Sequence, residues 1–299
     1  MREIIVGENE ANQRLDRFLL KYLNKSTRGN VFKLLRKKVI KVNNKKKKEN
    51  YYLKLNDKIQ FFLSDEALEE LRQEEEMVLS KNVNLDIVYE DDEILVVNKP
   101  KGLLTHPNKN EYKKTLTTRV QTYLNHLATR TFKPASVNRL DRNTSGLILF
   151  CKTYDALKKY NKMMRNREIK KYYICIVHGR VKRKGEIKGY LDKDHQKNIV
   201  KIREDNSDGK GRFIHTRYKP LEYIKNYTLL EVEILTGRTH QIRASLSKIG
   251  HPIVGDTKYG GKKVKNVTTQ VLHAYKLIVG DKIIVKDSDE IKDIIGKLS

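Results

Sequence analysis

The sequence predicts an α+β protein in two units: a small basic α/β unit at residues 1–64 and a larger one at 81–299, a mainly antiparallel or mixed β-sheet flanked by helices, joined by an acidic helical linker at 65–80. Three observations carry this. After residue 81, strand-like apolar runs recur with tight polar turns between some of them, which favours antiparallel pairing, and only a few helix-like stretches intervene. The charge is unevenly laid out: residues 1–64 are strongly basic, whereas DEALEELRQEEEM at 65–77 sets seven acids against Arg72 alone. A length of 299 residues with 38% hydrophobic content, sixteen Tyr and seven Phe supplies enough material for a real core.

In the first unit, Leu15, Phe18, Leu19, Tyr22 and Leu23 recur at helical spacing behind Asn12, a residue type suited to capping. Ser26 or Thr27 caps a second helix with Val31, Leu34 and Leu35 inward, which leaves Arg28, Lys33, Arg36 and Lys37 for another face. Val39, Ile40 and Val42 read as a strand, Asn43-Asn44 as a turn and residues 45–48 as an exposed lysine loop, before Leu53, Leu55, Ile59, Phe61 and Leu63. The acidic segment follows, with sparse Leu68 and Leu71, and reads as a solvated helix.

In the second unit, residues 85–89 and 94–97 flank an acidic turn and form a hairpin. Residues 146–150, 174–177 and 229–235 are further strands, and Gly209 to Gly211 reads as a hairpin tip. Thr239 caps a helix with Ile242, Leu246 and Ile249 inward and Gly250 at its end. Val279-Gly280-Asp281-Lys282 marks another tight turn, and a last helix follows Asp287 or Ser288 with Ile291, Ile294, Ile295 and Leu298 on one side. No repeat of solenoid or propeller period is present.

Sixty-three Lys and Arg against thirty-seven Asp and Glu leave a net charge of +26, which points to a polyanionic partner. No apolar run reaches bilayer length and MREIIVGENE lacks a signal-peptide stretch, so a cytoplasmic protein without a membrane partner is expected. Cys151 and Cys175 lie in apolar runs far apart, as reduced core residues do. Without CxxC or HExxH, no metal is expected.

The chemistry-bearing stretch is Asn138-Arg139-Leu140-Asp141-Arg142-Asn143-Thr144-Ser145-Gly146, which runs directly into an apolar strand. An acid between two arginines is held ionised, and an ionised carboxylate can act as nucleophile or general base. The same residues also suit a structural ion pair in a polar turn. Arg14-Leu15-Asp16-Arg17 repeats the tetrapeptide at the first helix, so the setting must decide.

That setting, NRLDRNTSGLILF at 138–150, resembles the catalytic motif of the RluA family of pseudouridine synthases. KKYYICIVHG at 170–179 resembles the family's K-x-Y-x-A-x-V-x-G element, and LLEVEILTGRTHQIRASLSKIGHPIVGDTKYG at 229–260 its long third motif. YEDDEILVVNKPKGLLTHP at 89–107 is similar to its opening segment and Leu272-His273-Ala274 to its later LHA element. The basic first unit resembles an S4 RNA-binding domain. The resemblance implies isomerisation of uridine to pseudouridine in RNA, without metal or cofactor, by cleaving the glycosidic bond, turning the base and rejoining it through carbon. It implies Asp141 as the nucleophile, Tyr173 as the aromatic that stacks on the base, Arg243 as the guanidinium paired with Asp141, and Leu272 as an apolar neighbour. The target base must leave its stack, and Arg139 is the residue implied to fill the gap.

Asn138 stands where many members have His, Ala244-Ser245 where many have Val-His, and Cys175 where Ala is frequent. LDRNTSG resembles the RluC-like branch, which implies large-subunit (23S) ribosomal RNA as the partner. Phosphate contacts are expected from Arg142, from Arg28, Lys33, Arg36 and Lys37, and from the lysine-rich stretches at 45–48, 182–184 and 258–265. The rival function is a non-catalytic RNA-binding or ribosome-assembly protein on the same scaffold, which Asp141, Tyr173 and Arg243 together argue against.

Overall fold

A computed structural model describes residues 1–73, 79–81, 83–111, 113–194 and 199–298. At the N-terminus, β1 (Arg2–Ile5), β2 (Ile40–Val42) and β3 (Lys58–Phe61) form an antiparallel sheet in the order β1-β3-β2. It shares one apolar core with α1 (Leu15–Tyr22) and α2 (Arg28–Arg36), in which Phe18, Leu19, Val31, Ile40 and Phe61 are fully buried. β1 was not legible in the sequence; its four residues are too short for an alternation to stand out. Thr27 caps α2, its side chain accepting from Asn30 N at 3.3 Å. Asn12 does not cap α1: it sits in the left-handed region (φ 61°) and its amide donates to Asp155 Oδ2 at 2.9 Å, while Arg14 occupies the cap. Asn43 and Asn44 make the expected turn, both at positive φ, which asparagine tolerates better than most residues.

The acidic segment begins as α3 (Asp65–Leu71), capped by Ser64, with its acids exposed and one side turned to the N-terminal core. Leu68 is buried in the N-terminal core and Leu71 packs against it, so two apolar residues one turn apart suffice to pin the helix. Glu74, Glu75, Glu76 and Met77 lie outside the described residues.

The remainder forms one large sheet from β4 (Asp86–Glu90), β5 (Ile94–Lys99), β6 (Ala135–Ser136), β7 (Ser145–Cys151), β8 (Ile169–His178), β9 (Gly185–Asp194), β10 (Ile199–Arg203), β11 (Arg212–Ile224), β12 (Tyr227–Ile234), β13 (Leu272–Val279) and β14 (Lys282–Val285). The order is β10-β9-β11-β12-β8-β13-β7-β5-β4, with β14 beside β13 and β6 beside β7. Among the described residues its pairs are antiparallel except β7 with β13, so the sheet is mixed and mainly antiparallel, as expected. β5 and β7 are buried on both faces, which explains their unbroken apolar runs. One face packs against α4 (Leu116–Tyr123), α6 (Gln241–Lys248) and α7 (Asp289–Leu298), the other against α5 (Tyr154–Arg165).

The expected hairpins at 85–97 and 279–282 are present, and Ser288 caps α7, its Oγ accepting from Ile291 N at 3.3 Å. Gly209 to Gly211 is not a hairpin tip: β10 and β11 both pair with β9, so this loop crosses over the strand between them. Both cysteines are buried and free. The N-terminal unit rests on the larger one through a buried Gln13 Nε2 to Thr131 Oγ1 bond of 3.1 Å, Lys21 Nζ to Thr131 O at 2.7 Å, and an Arg130 to Glu10 ion pair at 2.9 Å.

Candidate active site

The loop between β6 and β7 carries Asp141, and nearly every neighbour of that residue is tied down. Asn138 donates to Leu147 O at 3.2 Å and accepts from Leu149 N at 2.9 Å, so an amide fixes the first residue of the loop. Thr105 Oγ1 donates to Leu140 O and accepts from Leu140 N, at 2.9 and 3.2 Å. Lys99, fully buried, donates to the carbonyls of Pro100, Leu103 and Arg142 at 2.9, 2.8 and 2.9 Å. Three carbonyl acceptors match the three protons of an ammonium, even though burial pushes this lysine's pKa down to about 7. Downstream, Gly146 (φ 118°) lets β7 approach β13: a Cβ there would sit 2.3 Å from Ala274 O. Asp141, with its side chain 23% exposed, is thereby held up at the mouth of a cleft.

The opposing wall comes from α6. Thr239 does not cap this helix. His240 does so by its backbone, at φ 54°, and Gln241 closes the loop instead: its Oε1 accepts from Thr236 Oγ1 and Arg238 N at 2.8 and 3.1 Å. Gly250 (φ 80°) ends the helix as the sequence predicts, after Ile242 and Leu246 have entered the core. Arg243 is not a surface residue but 7% exposed. Its Nε and Nη2 make a bidentate pair with buried Asp256 at 2.7 and 2.8 Å, its plane lies 4.9 Å from the centre of the Tyr259 ring, and Nη1 reaches Asp141 Oδ2 at 3.3 Å. Asp256 neutralises the guanidinium and fixes its plane, so the arm offered to Asp141 has one direction.

His240, at the start of the same helix, approaches the same carboxylate oxygen, with Nε2 3.8 Å from Asp141 Oδ2. Tyr259 Oη accepts from Val200 N at 3.0 Å and lies 2.9 Å from His240 Nδ1. In the tautomer in which the phenol donates to Nδ1, the imidazole carries its proton on Nε2, the nitrogen nearer Asp141. Burial pushes the His240 pKa down, against the pull of Asp141, and favours this neutral form.

The cleft measures about 550 Å³ and is lined by Asp141, Arg243, Tyr173, Leu272, Ile234 and Arg139 among others. The three side chains expected to converge, Asp141, Tyr173 and Arg243, all face it. Tyr173, on β8, is 5% exposed; burial first, then the Asp141 charge, pushes its pKa up, so the phenol stays protonated at neutral pH. Leu272 forms an apolar wall at the start of β13, and Arg139 is exposed on the cleft side of the loop. Arg142 does not line the cleft; it turns to Glu111 Oε2 at 2.8 Å. Arg28, Lys33 and Arg36 on α2, and Lys37 just after it, are exposed and take no part in this cleft. Lys99, His240, Asp256 and Tyr259 were not singled out from the sequence. All lie inside the matching segments, but their partners are set only by tertiary contacts.

Against known proteins, residues 93–248 match the family described as RNA pseudouridylate synthase. The RNA pseudouridine synthase YlyB of Bacillus subtilis is 32% identical over 278 residues, covering 91% of this chain and 87% of its own. The ribosomal large subunit pseudouridine synthase C of Rickettsia felis is 31% identical over 95% of this chain and 94% of its own. Among solved structures, human RNA pseudouridylate synthase domain containing 1 superposes with a TM-score of 0.57 at 22% identity, over 76% of this chain and 90% of that one, a likeness of fold. With a match across half the chain and relatives aligned along nearly all of it, the chain belongs to the RNA pseudouridylate synthase family, in its RluA branch, and is an enzyme that isomerises uridine in RNA.

Proposed function

We propose that this enzyme converts uridine to pseudouridine in large-subunit ribosomal RNA, with Asp141 as nucleophile on an extruded nucleotide and the N-terminal unit, residues 1–64, docking the RNA as an S4-like domain. The observation that supports the mechanism most is the Asp141–Arg243 contact of 3.3 Å in a cleft walled by Tyr173. A guanidinium at that distance holds the carboxylate in one direction at the cleft, and splitting the isomerisation at a covalent intermediate replaces one hard step with two easier ones. The cleft then holds the detached base beside its sugar while it turns, which favours reattachment over loss to solvent. Tyr173 offers its ring to the base, Leu272 an apolar wall, and Arg139 a plane that can occupy the vacated stack.

The substrate assignment draws on the large-subunit names of relatives such as that of Rickettsia felis and on the net charge of +26. Mapping pseudouridine across total RNA from cells with and without the gene tests it. The expected result is loss of one or more sites in 23S ribosomal RNA, restored by the wild-type gene and not by Asp141→Asn. Loss confined to transfer RNA would overturn the ribosomal assignment while leaving the chemistry intact.

A further inference from the structure

Among the described residues three lysine or arginine side chains are buried, and two have their charge answered from within the protein. Lys99 is held by three carbonyls and Arg243 by two carboxylates. The third, Lys171, is 7% exposed, and among the described residues its Nζ has one polar contact, the thioether of Met164 at 3.2 Å. A sulfur is a weak acceptor and no neutraliser of charge. Burial alone pushes the Lys171 pKa down to about 8, with no carboxylate to raise it again, so at neutral pH most of it is still an ammonium. A buried cation without an anion is unfavourable in a folded protein unless the anion arrives with a ligand.

Its position says which ligand. Lys171 lines the same cleft as Asp141. It lies two residues before Tyr173 on β8, on the same face, a strand spacing of ~7 Å. That is comparable to the reach from a nucleobase to its own phosphate. Arg165 and Arg167, exposed where α5 ends, line the cleft beside it, so the rim over Lys171 is cationic as well.

We propose that Lys171 is the seat for the phosphodiester adjoining the target uridine, the counterion it lacks being supplied by RNA. Resting on the RNA-isomerase reading of the cleft, this assigns the lysine to holding the extruded nucleotide by its backbone while Tyr173 and Asp141 address base and sugar. Such a contact is worth the same before and after the base detaches, so it governs KM rather than kcat.

The full-length protein carrying Lys171→Met, which keeps the length of the side chain and removes the charge, is compared with wild type and with Lys170→Met, a change at the exposed neighbour. The probe is unmodified 23S ribosomal RNA transcript. The free Lys171→Met protein is expected to melt no lower than wild type, because an unanswered buried charge has gone. It is expected to bind RNA about tenfold more weakly, the loss typical of one charge-assisted contact, with log affinity against log salt about 0.7–0.9 shallower. KM for conversion should rise by a similar factor and kcat stay within about twofold. An RNA with neutral methylphosphonate linkages flanking the converted uridine should weaken wild type and leave Lys171→Met unaffected. An unchanged salt slope, or a fall in kcat at constant KM, would overturn the proposal, the second by showing that the cation acts on the reacting base. If wild type converts no uridine in this transcript, the ribosomal assignment fails, and the salt slope still decides the role of Lys171.

Discussion

At the scale of single residues, the direction of the Arg243 guanidinium depends on Asp256 more than on Asp141. The Asp256 pair is bidentate and buried, whereas the Asp141 contact is single and partly open. Asp256→Ala should therefore uncouple the site without touching substrate: the stranded guanidinium is expected to lower stability by about 3 kcal/mol and turnover by more than about tenfold. Thermal melting and single-turnover conversion check this, and wild-type turnover in the variant would refute the orienting role. Asp141, Tyr173 and Arg243 were legible because residue type and motif position suffice to pick them out. Asp256, His240, Lys99 and Lys171 were not. The value of each lies in a partner distant in sequence or, for Lys171, in a missing one, and a sequence shows neither.

At the scale of elements, local rules read well where the signal is local. The β4–β5 and β13–β14 turns, the Thr27 cap of α2, the Gly250 end of α6 and the start of α7 all follow from residues adjacent in sequence. They fail where tertiary contacts intervene: Asn12 is drawn off to Asp155, and Gln241 closes the loop in place of a Thr239 cap. Two element-scale outcomes follow. Gly146→Ala puts a Cβ 2.3 Å from Ala274 O at a positive φ, so the one parallel joint among the described strands should loosen, at about 3 kcal/mol or more by chemical denaturation. In the β4–β5 turn, Asp91 accepts from Lys282, Tyr89 and the backbone N–H groups of Glu93 and Ile94, which hold its pKa down to about 2 against the burial that would raise it. A depressed carboxylate stabilises the fold fully above its ordinary pKa and loses that contribution as pH falls toward 2. Asp91→Asn should thus be less stable than wild type at pH 7, and the gap should close between about pH 4 and pH 2. A pH-independent gap would mean that the ionised form is not what the turn uses.

For the whole molecule, the proposed function divides the labour, assigning RNA docking to the basic residues of α2 and the chemistry to the cleft. Arg28, Lys33, Arg36 and Lys37 are all exposed, and none lines the cleft. Replacing the four with Gln should weaken binding to ribosomal RNA and reduce the salt slope by about 0.7 for each phosphate no longer neutralised, with little change in turnover of a short bound substrate. Unchanged affinity would mean that this unit does not dock RNA. The composition foretold a polyanion partner and the motifs foretold the chemistry; the seating of the N-terminal unit through Gln13, Lys21 and Arg130 was beyond both, because each contact joins residues more than a hundred positions apart, a pairing that leaves no local pattern in a sequence. The most direct measurement is single-turnover conversion of uridine in unmodified 23S ribosomal RNA by purified Asp141→Asn beside wild type, with RNA affinity measured on the same samples and no cofactor added. A nucleophilic carboxylate at this position requires conversion to disappear while affinity stays within a few-fold; conversion by the Asn variant at the wild-type rate would contradict it.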